Sequence, residues 1–131
     1  MSLAAVMGIG CRSGVTAEAV IAAAQETLGL APIPVRLIGL HTSARKVAET
    51  GLRQAAALLT LELHFHEDGA LKEVESRIAS ASKKVAQLVG VGSVAEAAAL
   101  RGAGSGARLL VAKHSTADVS CAIALVGEAE G

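Results

Sequence analysis

Aromatic residues are almost absent from this 131-residue chain, in which Phe65 is the only one and there is no Trp or Tyr. The 12 basic and 12 acidic residues cancel, so the chain has no net positive charge to offer a nucleic acid. Nucleic-acid binders usually need a basic face, and single-strand binders also need aromatic platforms on which bases stack. Both absences argue against a nucleic-acid partner.

Long apolar runs and a disulfide framework are missing as well. No apolar stretch is long enough to span a bilayer, and residues 1–11 lack the basic start and hydrophobic length of a signal peptide. The two cysteines, Cys11 and Cys121, have no metal-ligand spacing and are too few for a disulfide framework. The sequence therefore predicts a cytoplasmic protein with reduced thiols, no membrane partner, and no metal or other cofactor.

A glycine-rich loop at residues 8–14, Gly-Ile-Gly-Cys-Arg-Ser-Gly, is the most informative local motif. It lies between a short apolar run and a helical pattern that begins at Thr16. Glycines let the backbone approach a ligand closely, the N–H groups of a helix N-terminus favour negative charge, and Arg12 adds a forked cation. The third glycine comes one residue too late for the G-x-G-x-x-G dinucleotide fingerprint. The loop is therefore either an anion site or a tight strand-to-helix turn.

Apolar periodicity predicts strands that alternate with helices over most of the chain. Strands are predicted at residues 3–9, 35–40, 61–65, 108–113 and 119–126, and helices begin near Thr16, after Thr50, and at Asp68, Ser82 and Ser93. About five residues join the last two strands, too few for a helical crossover, so these strands pair antiparallel. We expect one three-layer α/β/α domain over residues 1–126, followed by a flexible tail at residues 127–131. Its sheet is expected to be mixed, mostly parallel, and to end in an antiparallel hairpin.

Residues 93–96, Ser-Val-Ala-Glu, have the pattern of a capping box. In that motif the Ser93 hydroxyl accepts a hydrogen bond from the Glu96 N–H, and the Glu96 carboxylate returns to the Ser93 N–H. This role would account for Glu96 without any chemistry.

His64 and His66 lie on one face of a predicted strand and are followed by Glu67 and Asp68, which gives four potential metal ligands. Chelating histidines must share a face, as these two do. They are also the outward positions of an alternating edge strand, and no distant third ligand has a recognisable pattern. We therefore interpret both histidines as solvent-facing.

Basic residues follow the first two predicted strands, where open α/β sheets usually bind ligands. Arg12 comes after the first strand, and Arg45 and Lys46 come after the second. These strands should be parallel through a right-handed crossover, so residues 8–14 and Lys46 are expected at the same edge of the sheet. Lys113, at the end of a later strand, is a further candidate, although each cation alone could be an ordinary surface residue.

Four patches together resemble the CobE family, which is similar to the C-terminal domain of CbiG. In order, they are residues 8–14; Lys46 with Glu49, Gly51 and Leu52; Val91 followed by residues 93–100; and residues 109–113 followed by 120–124. The ordered set spans nearly the whole chain. It departs from the family pattern at Ser13, where a second basic residue is common, and at Ser120, where Thr is usual.

The resemblance implies a role in cobalamin biosynthesis, in which CbiG-type proteins are associated with opening a lactone on a cobalt-precorrin and releasing acetaldehyde during ring contraction. Because no N-terminal CbiG half precedes it, the chain looks like the free-standing CobE form of the oxygen-dependent route. A precorrin is a polycarboxylate macrocycle, and charge-assisted hydrogen bonds suit its acetate and propionate arms. The substrate-binding residues implied are Gly8, Gly10, Cys11, Arg12, Gly14, Lys46, Ser93 and Lys113.

Three functions remain open from the sequence. The chain could bind or hand on a precorrin around ring contraction, or it could hydrolyse a precorrin lactone and release a two-carbon fragment. Hydrolysis would use Arg12 or Lys46 to stabilise an oxyanion and Glu96 or Glu49 as base. A more remote alternative is a small nucleotide- or phosphate-binding domain. Other enzymes of the pathway and a second copy of the chain are further partners left open, and the expected cap at Glu96 favours binding over catalysis.

Overall fold

A computed structural model of the protein describes residues 2–81 and 93–127. Its strands are β1 (Leu3–Cys11), β2 (Val35–Ser43), β3 (Leu63–His66), β4 (Arg108–Ser115) and β5 (Val119–Leu125). The described helices are α1 (Ala17–Gly29), α2 (Thr50–Leu59), α3 (Asp68–Ala81) and α4 (Val94–Ala103), and a 3-10 turn covers Ala44–Lys46. None of these helices is long and apolar enough to cross a membrane.

The strands form one mixed sheet in the order β3-β2-β1-β5-β4. β1 is parallel to β2, and β2 is parallel to β3, whereas β5 is antiparallel to both of its neighbours, β1 and β4. α1 and α2 cover one face of this sheet, and α4 covers the other. The α/β fold with a mixed sheet and a closing hairpin is therefore confirmed.

β1 and β2 end later than the sequence predicted because their last residues pair with neighbouring strands, and α4 also ends later. β1 continues to Cys11, which pairs with Val119 of β5, and β2 continues to Ser43, which pairs with His66 of β3. α4 runs through Gly102 and ends at Ala103. The helix predicted from Ser82, the turn at residues 90–92 and the tail from residue 128 onwards lie outside the described residues.

The face under α1 and α2 is the apolar core of the protein. Met7 and Ile9 of β1 and Ile123 of β5 pack there against Val20 of α1 and Leu52 of α2. Since the chain has so little aromatic surface, burial of these aliphatic side chains supplies most of the hydrophobic stabilisation on this face.

The face under α4 carries small residues and brings helix and sheet backbones close together. Gly8 of β1 lies directly beneath the helix: a Cβ at this position would overlap the Ala95 carbonyl oxygen and come 2.6 Å from the Ala99 nitrogen. Alanines continue this contact along both surfaces, namely Ala95, Ala99 and Ala103 of α4 and Ala122 and Ala124 of β5. The position of α4 over the sheet therefore depends on the absence of a side chain at Gly8.

We expect Gly8→Ala to lower the free energy of unfolding by about 1–3 kcal/mol, because an extra methyl group in a packed contact forces the backbone to shift. Urea denaturation measures this change. Gly29→Ala is the matched control, since nothing lies within 4 Å of the position that its Cβ would take. A Gly8→Ala protein as stable as the wild type would show that α4 is not held against β1 at this point.

Candidate functional site

Residues 12–14 of the glycine-rich segment and Lys46 lie at the same edge of the sheet, as predicted, whereas residues 8–11 belong to β1 and not to a loop. β1 and β2 are parallel, so the loop after β1 and the 3-10 turn after β2 leave the sheet on one side. Glu49 ties the two together, because its Oε1 accepts a hydrogen bond from the Gly14 N–H at 2.9 Å. Gly14 has a φ of 79°, in the left-handed region that glycine adopts without strain. The Glu49 carboxylate thus fixes the end of the loop and is already engaged.

Cys11 is half-buried in this edge and close enough to Lys46 and Glu49 for both charges to affect it. Burial raises the pKa of the Cys11 thiol, while Lys46 lowers it and Glu49 raises it by smaller amounts. A thiol with a raised pKa is mostly protonated at neutral pH and is a poor nucleophile. Burial likewise raises the pKa of Cys121 to about 12, in keeping with its place in the core. We therefore interpret Cys11 as a residue that packs in the wall of the site and not as a nucleophile.

Arg12 is exposed and pairs with Asp118 in the turn between β4 and β5. Its Nε lies 3.8 Å from Asp118 Oδ1, and its backbone N–H donates to the Asp118 carbonyl oxygen at 3.0 Å. The two side chains are 77% and 51% exposed, so the ion pair is weak and can exchange for another anion. The sequence analysis did not single out Asp118. The hairpin that contains it was predicted, but its turn lies beside the end of β1 only because β5 pairs with β1, and that pairing was not predicted.

A shallow cavity of about 260 Å³ lies between the end of β1 and this hairpin turn. Most of the residues that line it have small or polar side chains. They are Gly10, Cys11, Arg12 and residues 115–120. The Ser115 and Ser120 hydroxyl oxygens are 2.8 Å apart within it. A larger cavity, of about 460 Å³, lies at the opposite edge of the sheet beside Leu3 and Leu125, away from every predicted site residue. The smaller cavity has polar groups that suit a carboxylate or phosphate, and its lining includes three of the predicted site residues, Gly10, Cys11 and Arg12.

Ser93 and Glu96 confirm only half of the capping-box prediction. The Ser93 hydroxyl accepts the Glu96 N–H at 3.3 Å and caps α4. The Glu96 carboxylate does not return to Ser93, which corrects the prediction. Instead, its Oε2 accepts the Lys113 N–H at 2.8 Å. Lys113 lies where the β4–β5 register shifts between Val111 and His114, and such a bulge leaves a backbone N–H without a ladder partner.

The second carboxylate oxygen of Glu96 is the unusual group of this site. Glu96 is only 5% exposed, yet its Oε1 has no hydrogen-bond partner among the described residues. A buried oxygen without a partner costs free energy, and it is typical of positions where a ligand supplies the missing bond. Sequence reasoning missed this because the local motif explained Glu96 completely.

The predicted site residues form two groups on either side of the end of β1. On the α2 side are Cys11, Gly14, Lys46 and Glu49. On the α4 side are Gly10, Ser93, Glu96 and the backbone of Lys113, whose side chain is exposed. Arg12 lies by the hairpin turn, and Gly8 is covered by α4, where it serves packing.

His64 and His66 are part of a cluster that also contains His41 of β2. His41 Nδ1 lies 2.8 Å from His66 Nε2, and the His41 and His64 rings stack with their centroids 4.7 Å apart. The solvent-facing interpretation is right for His64, which is exposed beside Glu62, and wrong for His66, which is half-buried. Across residues 2–81 and 93–127, no group of three or more His, Cys, Asp or Glu side chains is arranged to hold a metal ion.

Comparison with known proteins identifies relatives over nearly the whole chain. Residues 5–124 match the family model described as the cobalamin synthesis G C-terminus. Protein CobE of Sinorhizobium sp. is 35% identical over 122 residues, which cover 91% of this chain and 78% of that protein.

Solved structures give the same result. Cobalamin biosynthesis protein chiG of Agrobacterium tumefaciens is 36% identical, with a TM-score of 0.76 over 95% of this chain and 99% of that chain. CobE, a protein from the cobalamin (vitamin B12) biosynthetic pathway, is also 36% identical, with a TM-score of 0.77 over 95% and 92% of the two chains. A cobalamin biosynthesis protein G homologue from Sulfolobus solfataricus shares the fold at 15% identity, with a TM-score of 0.69 over 37% of its length.

Proposed function

This chain belongs to the family of CobE and the CbiG C-terminal domain, and we propose that it serves cobalamin biosynthesis by binding a carboxylated precorrin intermediate at the β1–β2 edge of its sheet. One observation carries the proposal. Arg12 and Lys46, far apart in sequence, lie at one edge around a glycine loop that Glu49 already holds in place. A loop fixed before the ligand arrives has less conformational entropy to lose on binding.

The chemistry of a precorrin fits this edge in two ways. Its acetate and propionate arms are carboxylates, and Arg12 can offer one of them a forked, charge-assisted pair of hydrogen bonds in exchange for Asp118. The cavity beside Arg12 has room for one arm, and because the Ser115 and Ser120 hydroxyls bond to each other, one of their two O–H groups is left to donate to it. The macrocycle itself would lie across the open edge, because a cavity of about 260 Å³ does not enclose it.

An open, polar edge suits a protein that holds an intermediate and hands it on around the ring-contraction stage. Exposed cations attract a polyanion over some distance and release it readily, since water screens each contact. Uptake and release of this kind need no enclosed pocket.

We expect Arg12→Ala and Lys46→Ala each to weaken binding of a stable corrin with free acetate and propionate arms by about five-fold, the effect of an exposed ion pair. Asp118→Asn should strengthen binding, because it removes the anion that competes for Arg12. Isothermal titration calorimetry measures all three affinities, and added salt should lower the wild-type affinity.

Two controls make this test specific. Lys72→Ala removes an exposed cation on α3, and it should leave the affinity unchanged. The methyl ester of the same corrin keeps the macrocycle but has no carboxylates, so it should bind weakly to every variant. Wild-type affinity in both site variants, or equal binding of acid and ester, would show that this edge does not recognise carboxylates.

A second function, hydrolysis of a precorrin lactone, is favoured by the free Oε1 of Glu96. A buried carboxylate can take a proton from water, whose oxygen then attacks the lactone carbonyl. The ring C–O bond breaks, and the leaving alkoxide receives the proton. The Glu96 Oε2 bond to Lys113 would keep the base oriented during this step.

Glu96→Gln separates this second function from simple binding. The amide oxygen can still accept the Lys113 N–H, so the melting temperature should change little, but the side chain can no longer accept a proton. Lactone opening, followed by mass spectrometry as the gain of one water, should fall by roughly 10²–10⁴-fold. If the variant opens the lactone at the wild-type rate, or the wild type does not open it, Glu96 is not a base.

A further inference from the structure

Three imidazole rings fill the space between β2, β3 and α4, away from the proposed carboxylate site. His41 is the innermost and is only 7% exposed. Its ring stacks on His64 and on His66, with centroids 4.7 Å and 5.1 Å away, and its Nδ1 lies 2.8 Å from His66 Nε2. Two imidazole nitrogens this close share a single proton, since one must donate and the other must accept. If both rings were charged, two N–H groups would face each other at this distance.

α4 closes this cluster from above and leaves it no room. A Cβ at Gly102 would overlap the His41 ring, so the helix backbone rests directly on that imidazole. The neighbouring Arg101 is close enough for its positive charge to act on His66. α4 therefore places the positive charge of Arg101 and the closely packed backbone at Gly102 next to the cluster.

Among the described residues named below, no carboxylate is placed to pair with a positive charge on the inner rings, His41 and His66. On the β3 side, Glu62 pairs with the outer ring, His64, at 3.2 Å. Arg45, in the neighbouring 3-10 turn, pairs with Asp68, the first residue of α3. In register with His41 on the β1 side is Gly8, which has no charge.

Burial and these neighbours disfavour the charged forms of both inner histidines. Burial, with smaller effects from His66 and His64, lowers the pKa of His41 from 6.5 to about 4. Burial also lowers the pKa of His66, with further lowering by Arg101 and His64.

We propose that the cluster of His41, His64 and His66 is a pH-sensitive switch: while the inner rings of His41 and His66 are neutral it holds the second half of α4 against β2, and protonation of these inner rings releases that half. The sign follows from linkage. In the unfolded or opened chain His41 takes up a proton below about pH 6.5, whereas in the closed form the pKa of His41 is lowered to about 4. Stability present above about pH 6.5 is therefore lost as the pH falls towards 4.

We expect the opening to be local, because α4 and the large apolar core lie on opposite faces of the sheet. α1, α2 and the large apolar core lie on the other face of the sheet, whereas the His41 ring lies under Gly102 of α4. α4, in contrast, also carries Ser93 and Glu96 at its first turn. Acid release of its second half would loosen that end of the site whether or not a corrin binds there.

Hydrogen exchange tests the switch, with backbone amides read out by NMR and corrected for the intrinsic effect of pH. In the wild type, the protection of the amides at residues 98–103 should fall at least ten-fold between about pH 7 and pH 4, while that of β1 and β5 amides changes less. His41→Phe keeps an aromatic ring but cannot be protonated, so its α4 should stay protected in acid. His114→Gln is the matched control, because His114 pairs with Glu26 of α1 outside the cluster, and it should behave like the wild type.

Two results would overturn the proposal: α4 protection that persists in the wild type down to about pH 4, or an equal loss in His41→Phe. If His41→Phe does not fold, the titration of the His41 ring in the wild type decides the matter. A folded-state pKa of His41 near its ordinary 6.5 contradicts the switch, and one near 4 supports it.

Discussion

The close contact between α4 and Gly8 of β1 sets much of the architecture. Because Gly8 has no side chain, the Ala95 carbonyl rests on the strand, and the helix crosses the sheet nearer than any larger residue would permit. The same placement brings Ser93 and Glu96 to the end of β1 and puts Gly102 on the His41 ring. One packing contact therefore positions a buried carboxylate at one end of α4 and a histidine cluster beneath the other.

The site combines a fixed loop with exchangeable charges. Glu49 holds Gly14 by a hydrogen bond, so the loop keeps its shape without a ligand. Arg12 is held only by an exposed ion pair with Asp118, and that pair can give way to a carboxylate of similar geometry. A preorganised backbone and replaceable surface ion pairs suit reversible capture of a polyanion, which is the role that we propose for this member of a cobalamin biosynthesis family.

Local sequence patterns predicted the strands and helices, because hydrophobic periodicity involves residues that are close in sequence. The shared sheet edge could be predicted as well, because consecutive strands joined by a helix are parallel and end on the same side of the sheet. Contacts between distant segments could not be predicted in this way. Glu96 had a complete local explanation, yet a bulge in β4 offered the Lys113 N–H as a competing partner, and bulges leave no clear sequence signature. His41 was overlooked for a similar reason, since only the register of β2 with β3 places it beside His64 and His66.

The central claim is that carboxylate arms bind at the edge formed by the glycine loop and Lys46. NMR chemical-shift mapping during titration with a corrin polycarboxylate tests it most directly, because every backbone amide reports its own surroundings. We expect the largest shifts at Gly10, Gly14, Lys46 and Ser120, and no shifts beside Leu125 at the opposite edge. Shifts concentrated in the larger cavity beside Leu125, with the glycine loop unchanged, would contradict it.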